Sequence, residues 1–79
     1  MTYSFKGNYD FKKLVVKDIS EQIDKNNKPY WVIDTSDHEI TLFCNDKKMV
    51  DKLKIDEEYG FEYKISQVGN KTYNWITLV

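Results

Sequence analysis

Between Tyr59 and Ile65 the chain reads "YGFEYKI": Tyr59, Phe61, Tyr63 and Ile65 take every second position, with Gly60, Glu62 and Lys64 between them. A period of two marks a strand with one buried face, because successive side chains leave a strand on opposite sides. Short runs of this kind recur along the chain, and one stretch, Asn45 to Lys54 ("NDKKMVDKLK"), departs from them. There Met49, Val50 and Leu53 fall on one helical stripe, the lysines take the other side, and Asn45 or Asp46 can cap the first turn. These patterns predict a mainly β protein with one short helix.

The other strands follow from the turn signals between them. Residues 11–19 ("FKKLVVKDI") read as a first strand rich in β-branched side chains, and "SEQIDKNNK" after it is a polar connection turning at Asn26-Asn27. Lys28 to Cys44 ("KPYWVIDTSDHEITLFC") holds two strands joined through "TSDH", with Pro29 at a strand start, where a missing donor costs little. Gly69-Asn70 turns the chain after the fourth strand, and "TYNWITLV" closes it. Seventy-nine residues without a repeat or linker suit a single domain, 1–79.

Both faces of the Lys28–Cys44 hairpin carry good packing residues. Alternation sets Trp31 and Ile33 on one face of the first strand and Tyr30 and Val32 on the other. In the second strand it sets Ile40, Leu42 and Cys44 against Thr41 and Phe43. Aromatic residues make up 15% of the chain, more than a core this small can absorb, so some rings are expected at the surface.

Several functions are excluded or disfavoured. His38, between Asp37 and Glu39, lacks metal-ligand spacing and reads as an exposed turn. The single cysteine, Cys44, rules out a disulfide within the chain, reads as a buried structural thiol, and suits a reducing compartment. Asp56, Glu57 and Glu58 form an acidic turn rather than a spaced catalytic pair, and the three glycines make no phosphate loop. No constellation meets the needs of catalysis, so the expectation is a protein that is not an enzyme and needs no cofactor. The start, "MTYSFKGNYD", has no leader-like apolar run, and no stretch is long enough to span a membrane, which predicts a soluble, cytoplasmic protein.

Net charge is −1, so any attraction to phosphate has to be local. Residues 1–30 carry +2, 31–46 carry −4, 47–54 carry +3, 55–63 carry −4 and 64–79 carry +2. All twelve basic residues are lysine, which attracts phosphate as a point charge without arginine's bidentate fork, and this disfavours a dedicated base reader.

The order strand, strand, strand, helix, strand, strand resembles the oligonucleotide-binding (OB) fold, a five-stranded Greek-key barrel with a helix between strands 3 and 4. The resemblance covers roughly Phe11 to Val79. It rests on that order, on the "WVIDTSDHEITLFC" hairpin with its acidic turn, and on "LKIDEEYGFEYKI" leading from the helix into the fourth strand. The chain is also similar to small single-stranded-DNA-binding proteins of bacteriophages and mobile elements.

The resemblance implies that Trp31, Ile33, Ile40, Leu42 and Cys44 point into a barrel, joined by Leu14, Val16, Tyr59, Phe61, Ile65, Ile76 and Leu78, with Met49, Val50 and Leu53 closing one end. It also implies a binding face on strands 2 and 3 with strand 5 beside strand 3. Tyr30 and Phe43 would lie there, Tyr73 and Trp75 next to them, Lys13 and Lys17 bordering Tyr30, and Lys28 and Lys71 in the flanking loops. Rings edged by lysines suit a single strand, whose bases stack on aromatic faces while cations follow its backbone.

The function expected is single-stranded DNA binding with little sequence preference, in DNA replication or recombination. Single-stranded RNA is an alternative ligand. The same rings could instead pack under loops or against another protein, which would make the chain an accessory subunit of a polymerase, primase or helicase. No membrane partner is expected, and an oligomer is compatible with the sequence.

Overall fold

A computed structural model of the protein describes residues 8–79; the reading of the first seven residues as leader-free lies outside them. Five strands and one short helix follow in the order β1 (Tyr9–Ile23), β2 (Pro29–Thr35), β3 (Thr41–Cys44), α1 (Lys47–Val50), β4 (Glu58–Val68) and β5 (Lys71–Leu78). The strands form one sheet in the order β1-β2-β3-β5-β4, and β4 pairs back onto β1, so the sheet closes in a ring. All neighbours are antiparallel except β3 and β5, which are parallel. Among the described residues every strand therefore has a neighbour on both sides, which limits the edge open to pairing with another chain.

β1 is far longer than the predicted 11–19 because it serves two neighbours. Its first half, Tyr9 to Val15, pairs with β4, and its second half, Val16 to Ile23, pairs with β2. A bulge at Lys17, between the pairs Val16–Thr35 and Asp18–Asp34, marks the change. An extra residue bends and twists a strand and reverses which side chains face inward. Leu14 and Val16 are therefore buried ahead of the bulge, and Ile19 packs against the core behind it.

The core holds Leu14, Val16, Trp31, Ile33, Leu42, Cys44, Val50, Leu53, Phe61, Tyr63 and Ile76. Phe61, Ile33, Leu42 and Val16 are fully buried, each stabilising the fold by about 1.5–3 kcal/mol relative to exposure. Ile40, Met49, Tyr59 and Ile65 are only partly buried against this core. Ile40 lies in the β2–β3 loop rather than in β3. Tyr59 is kept near the surface by its hydroxyl, which accepts from Lys54 N at 2.9 Å and lies 3.2 Å from Lys52 O, tying down the exit from the helix.

Leu78 corrects the alternation outright: it is 60% exposed. Ile76 pairs with Tyr63, but the next pair is Leu78 with Glu62, so Thr77 is an extra residue and Leu78 takes the outward side of Glu62. The Thr77 hydroxyl lies 3.1 Å from Glu62 O and 2.9 Å from Glu62 Oε1, which holds the bulge. Tyr63 is buried and joins the core, and its hydroxyl donates to Asp10 Oδ2 at 3.4 Å.

The helix is shorter than the predicted Asn45–Lys54. Asp46 is the cap, accepting from Lys48 N at 2.9 Å. Beyond Val50 the bonds tighten to three-residue spacing, Lys52 N to Met49 O and Leu53 N to Val50 O, and that turn carries Leu53 into the core. The β4–β5 turn is Gly69-Asn70, as predicted, with Gly69 at φ +61°, a conformation that favours glycine. The β1–β2 turn places Asn27 at φ 66°. Among the described residues no helix is long and apolar enough to cross a membrane.

Candidate nucleic-acid interface

One row of cross-strand partners runs round the outside of the ring. Tyr9 on β1 pairs with Lys64 on β4, Lys64 with Trp75 on β5, Trp75 with Phe43 on β3, Phe43 with Val32 on β2, and Val32 with Ser20 back on β1. The row leaves β1 at Tyr9 and returns at Ser20, so the strands are strongly staggered. Trp75 and Phe43 stand at its centre, with Tyr73 and Tyr30 diagonal to them.

The four rings form one connected cluster. Phe43 lies 5.6 Å from Trp75, 5.3 Å from Tyr73 and 6.3 Å from Tyr30, and Tyr30 lies 6.3 Å from Trp75. Interplanar angles of 30° to 72° show tilted and edge-on contacts rather than a closed stack. All four are half-buried, and they line a groove of about 650 Å³.

Polar residues complete the groove. Lys28 and Asp24 reach it from the β1–β2 turn, Asn45 from the end of β3, and Lys47 from the first turn of α1. Lys47 also pairs with Asp51 at 3.2 Å on the exposed side of the helix. Lys71 is exposed on the same side of β5 as Tyr73, two residues earlier, and extends the cluster beyond the groove.

Two expected lysines are placed elsewhere. Tyr30 has Gln22 as its β1 partner, whereas Lys13 pairs with Gly60 and Lys17 sits in the bulge opposite Thr35 and Asp34. From Lys13 to Gln22 along a strand is roughly 30 Å at the usual rise per residue. Lys17 is also paired with Asp56 at 3.4 Å. The stagger moves both away from Tyr30, and β1 borders Tyr30 and Val32 with uncharged Gln22 and Ser20.

Two lysines escaped the sequence reading of the site. Lys47 looked like the wet side of a helix, yet it lines the groove. Lys64 is exposed and directly beside Trp75. The signal for Lys64 was present: a two-residue turn at Gly69-Asn70 sets Val68 opposite Lys71 and, counting back, Lys64 opposite Trp75.

The remaining candidates fall away from the groove. His38 is exposed in the β2–β3 loop. Cys44 is buried, its Sγ donating to Asp46 O at 3.3 Å, and burial pushes the thiol pKa up, so the reactive thiolate is disfavoured. Burial, with Asp10 beside it, likewise raises the pKa of Tyr63.

No protein-family model, curated protein or solved structure matches the chain.

Proposed function

We propose that the groove binds a single strand of nucleic acid, DNA first, by stacking unpaired bases on Tyr30, Phe43, Tyr73 and Trp75. The observation that carries this reading is the ring cluster itself: four aromatics from β2, β3 and β5 on the outer face of a closed sheet, with nothing packed over them among the described residues. Base stacking on such rings contributes about 1–3 kcal/mol per base and tolerates any sequence. Lys28 and Lys47 in the groove, with Lys64 and Lys71 beside it, supply the cations that a backbone needs.

The strand order, the parallel β3–β5 pair and the helix between β3 and β4 support reading the ring as an OB-type barrel, whose strands 2 and 3 are the usual binding face. The role is then that of a weakly sequence-selective single-strand binder in replication or recombination. Titrating labelled single-stranded DNA, single-stranded RNA and duplex DNA at two salt concentrations tests it. Salt-sensitive binding of the single strands, with the duplex weaker, is the expected result, and equal or stronger duplex binding overturns it.

A second reading, an accessory subunit docking on a replication enzyme, draws on a different surface. Phe11 and Leu78, 58% and 60% exposed, flank Glu62 from both neighbouring strands. Both readings hold together if that surface docks while the groove holds DNA.

A further inference from the structure

Asp24 is out of place in a groove for a polyanion. It lines the same space as Tyr30, Lys28 and Lys47, and its carboxylate is not free to swing away. Oδ1 accepts from Asn26 N at 2.8 Å and from Lys28 N at 2.9 Å, and these bonds build the β1–β2 turn. Asp24 N donates to Lys28 O at 2.9 Å, fixing the same residue from its backbone. Among the described residues no donor reaches Oδ2. Asn45 stands close by, because the pairing of Trp31 with Cys44 brings it level with Tyr30 across the hairpin.

A fixed carboxylate repels a phosphate and accepts only from donors. On a DNA strand the donors are base N–H groups: cytosine presents its N4 amino group to an aspartate, whereas thymine presents a carbonyl oxygen at that place and keeps only its ring N3–H as a donor. We infer that Asp24 reads the amino edge of the base stacked on Tyr30, so that at this one position the groove selects an amino-bearing base, cytosine over thymine. Asn45 supplies a second polar group to the same base edge. This rests on the single-strand reading above and adds a selective position to an otherwise tolerant face.

The test is a fluorescence titration with oligo-dC, oligo-dT and oligo-dC carrying N4,N4-dimethylcytosine, which keeps the ring and loses both amino hydrogens. The expected result is oligo-dC bound about three- to tenfold more tightly than oligo-dT, the worth of one net hydrogen bond, with dimethylation erasing the difference. Asp24→Asn, checked for folding by thermal melting, keeps an acceptor for the turn and places an amide donor opposite the base, so the preference vanishes or inverts. Equal binding of oligo-dC and oligo-dT by the natural protein overturns the inference and leaves single-strand binding intact. So does a cytosine preference that survives dimethylation. Failure to bind any of the three oligonucleotides overturns both.

Discussion

Phe43 of β3 and Trp75 of β5 are partners across the parallel strand pair, with ring centroids 5.6 Å apart at 47°. This contact fixes which side of β5 faces outward: Trp75 lies with Phe43 in the groove while Ile76 is buried on the other side. The two tryptophans differ in exposure: Trp31 belongs to the core although it too lines the groove, and Trp75 is half-buried on the outer face. Adding single-stranded DNA is expected to quench chiefly the more exposed Trp75, with a smaller change from Trp31, which also lines the groove, so Trp75→Phe should lose most but not all of the fluorescence response while still binding. Phe43→Ala should weaken binding by about 1–3 kcal/mol, the worth of one stacked base, with the fold retained by circular dichroism. A Phe43→Ala protein that binds like its parent removes stacking from this face.

The Thr77 bulge predicts opposite fates for two residues that simple alternation treats alike. Ile76→Ala should cost about 2–4 kcal/mol in urea unfolding, because it hollows the core. Leu78→Ser should change stability by less than about 0.5 kcal/mol, because the side chain is already in water. Thr77→Val, which removes the hydroxyl facing Glu62, should cost about 1 kcal/mol. A large loss in Leu78→Ser would place that residue back in the core.

The limits of the sequence lie at these irregular points. Alternation located Trp31, Ile33, Leu42, Cys44, Phe61 and the outward pair Tyr30 and Phe43, because β2, β3 and the middle of β4 are regular and period two holds inside them. It failed at Leu78 and across Lys17, where an inserted residue flips the faces without leaving a compositional mark. Lys13 and Lys17 fall away from Tyr30 for a related reason: the stagger between strands is a property of the closed ring and cannot be seen within one strand. The helix ends before its apolar stripe does because Leu53 fits a helical stripe equally well as the end of a tighter turn.

Gly60 and Phe11 should be weakly coupled. A Cβ on Gly60 would lie 2.7 Å from Phe11 Cζ, so the ring covers the glycine across the β1–β4 pair. The clash is with the far end of a ring that is 58% exposed, so Gly60→Ala should cost less than about 1 kcal/mol in the natural background and less still beside Phe11→Ala. A double-mutant cycle from urea melts measures the difference, and a strong coupling would show that the ring cannot move aside.

At alkaline pH the raised pKa values of Cys44 and Tyr63 set the sign of the stability change. In the unfolded chain each group loses its proton at a lower pH than in the folded protein, so the folded state binds more protons in the window between. Their contribution is complete below the unfolded values, 9.0 for the thiol and 10.0 for the phenol, and is lost as pH rises through the folded ones. Urea melts at pH 7 and in steps above pH 9 (~9–11) should show stability falling, and Tyr63→Phe should flatten that fall. Native Cys44 should react with a thiol reagent only slowly at pH 8 and at once in urea. Rapid native labelling would contradict its burial.

The lysines divide into two groups that mutation can separate. Lys28 and Lys47 line the groove and Lys64 adjoins Trp75, whereas Lys13 and Lys17 lie along β1 away from Tyr30. Each phosphate contact on a single strand contributes about 0.7 to the slope of log affinity against log salt. Lys28→Ala and Lys64→Ala should each reduce that slope by about this amount, and Lys47→Ala by less, since Lys47 is shared with Asp51. Lys13→Ala and Lys17→Ala should leave the slope unchanged, although Lys17→Ala releases Asp56 and slightly alters stability. Slopes that drop for the β1 lysines and hold for Lys28 and Lys64 would put the nucleic-acid backbone on another face of the ring.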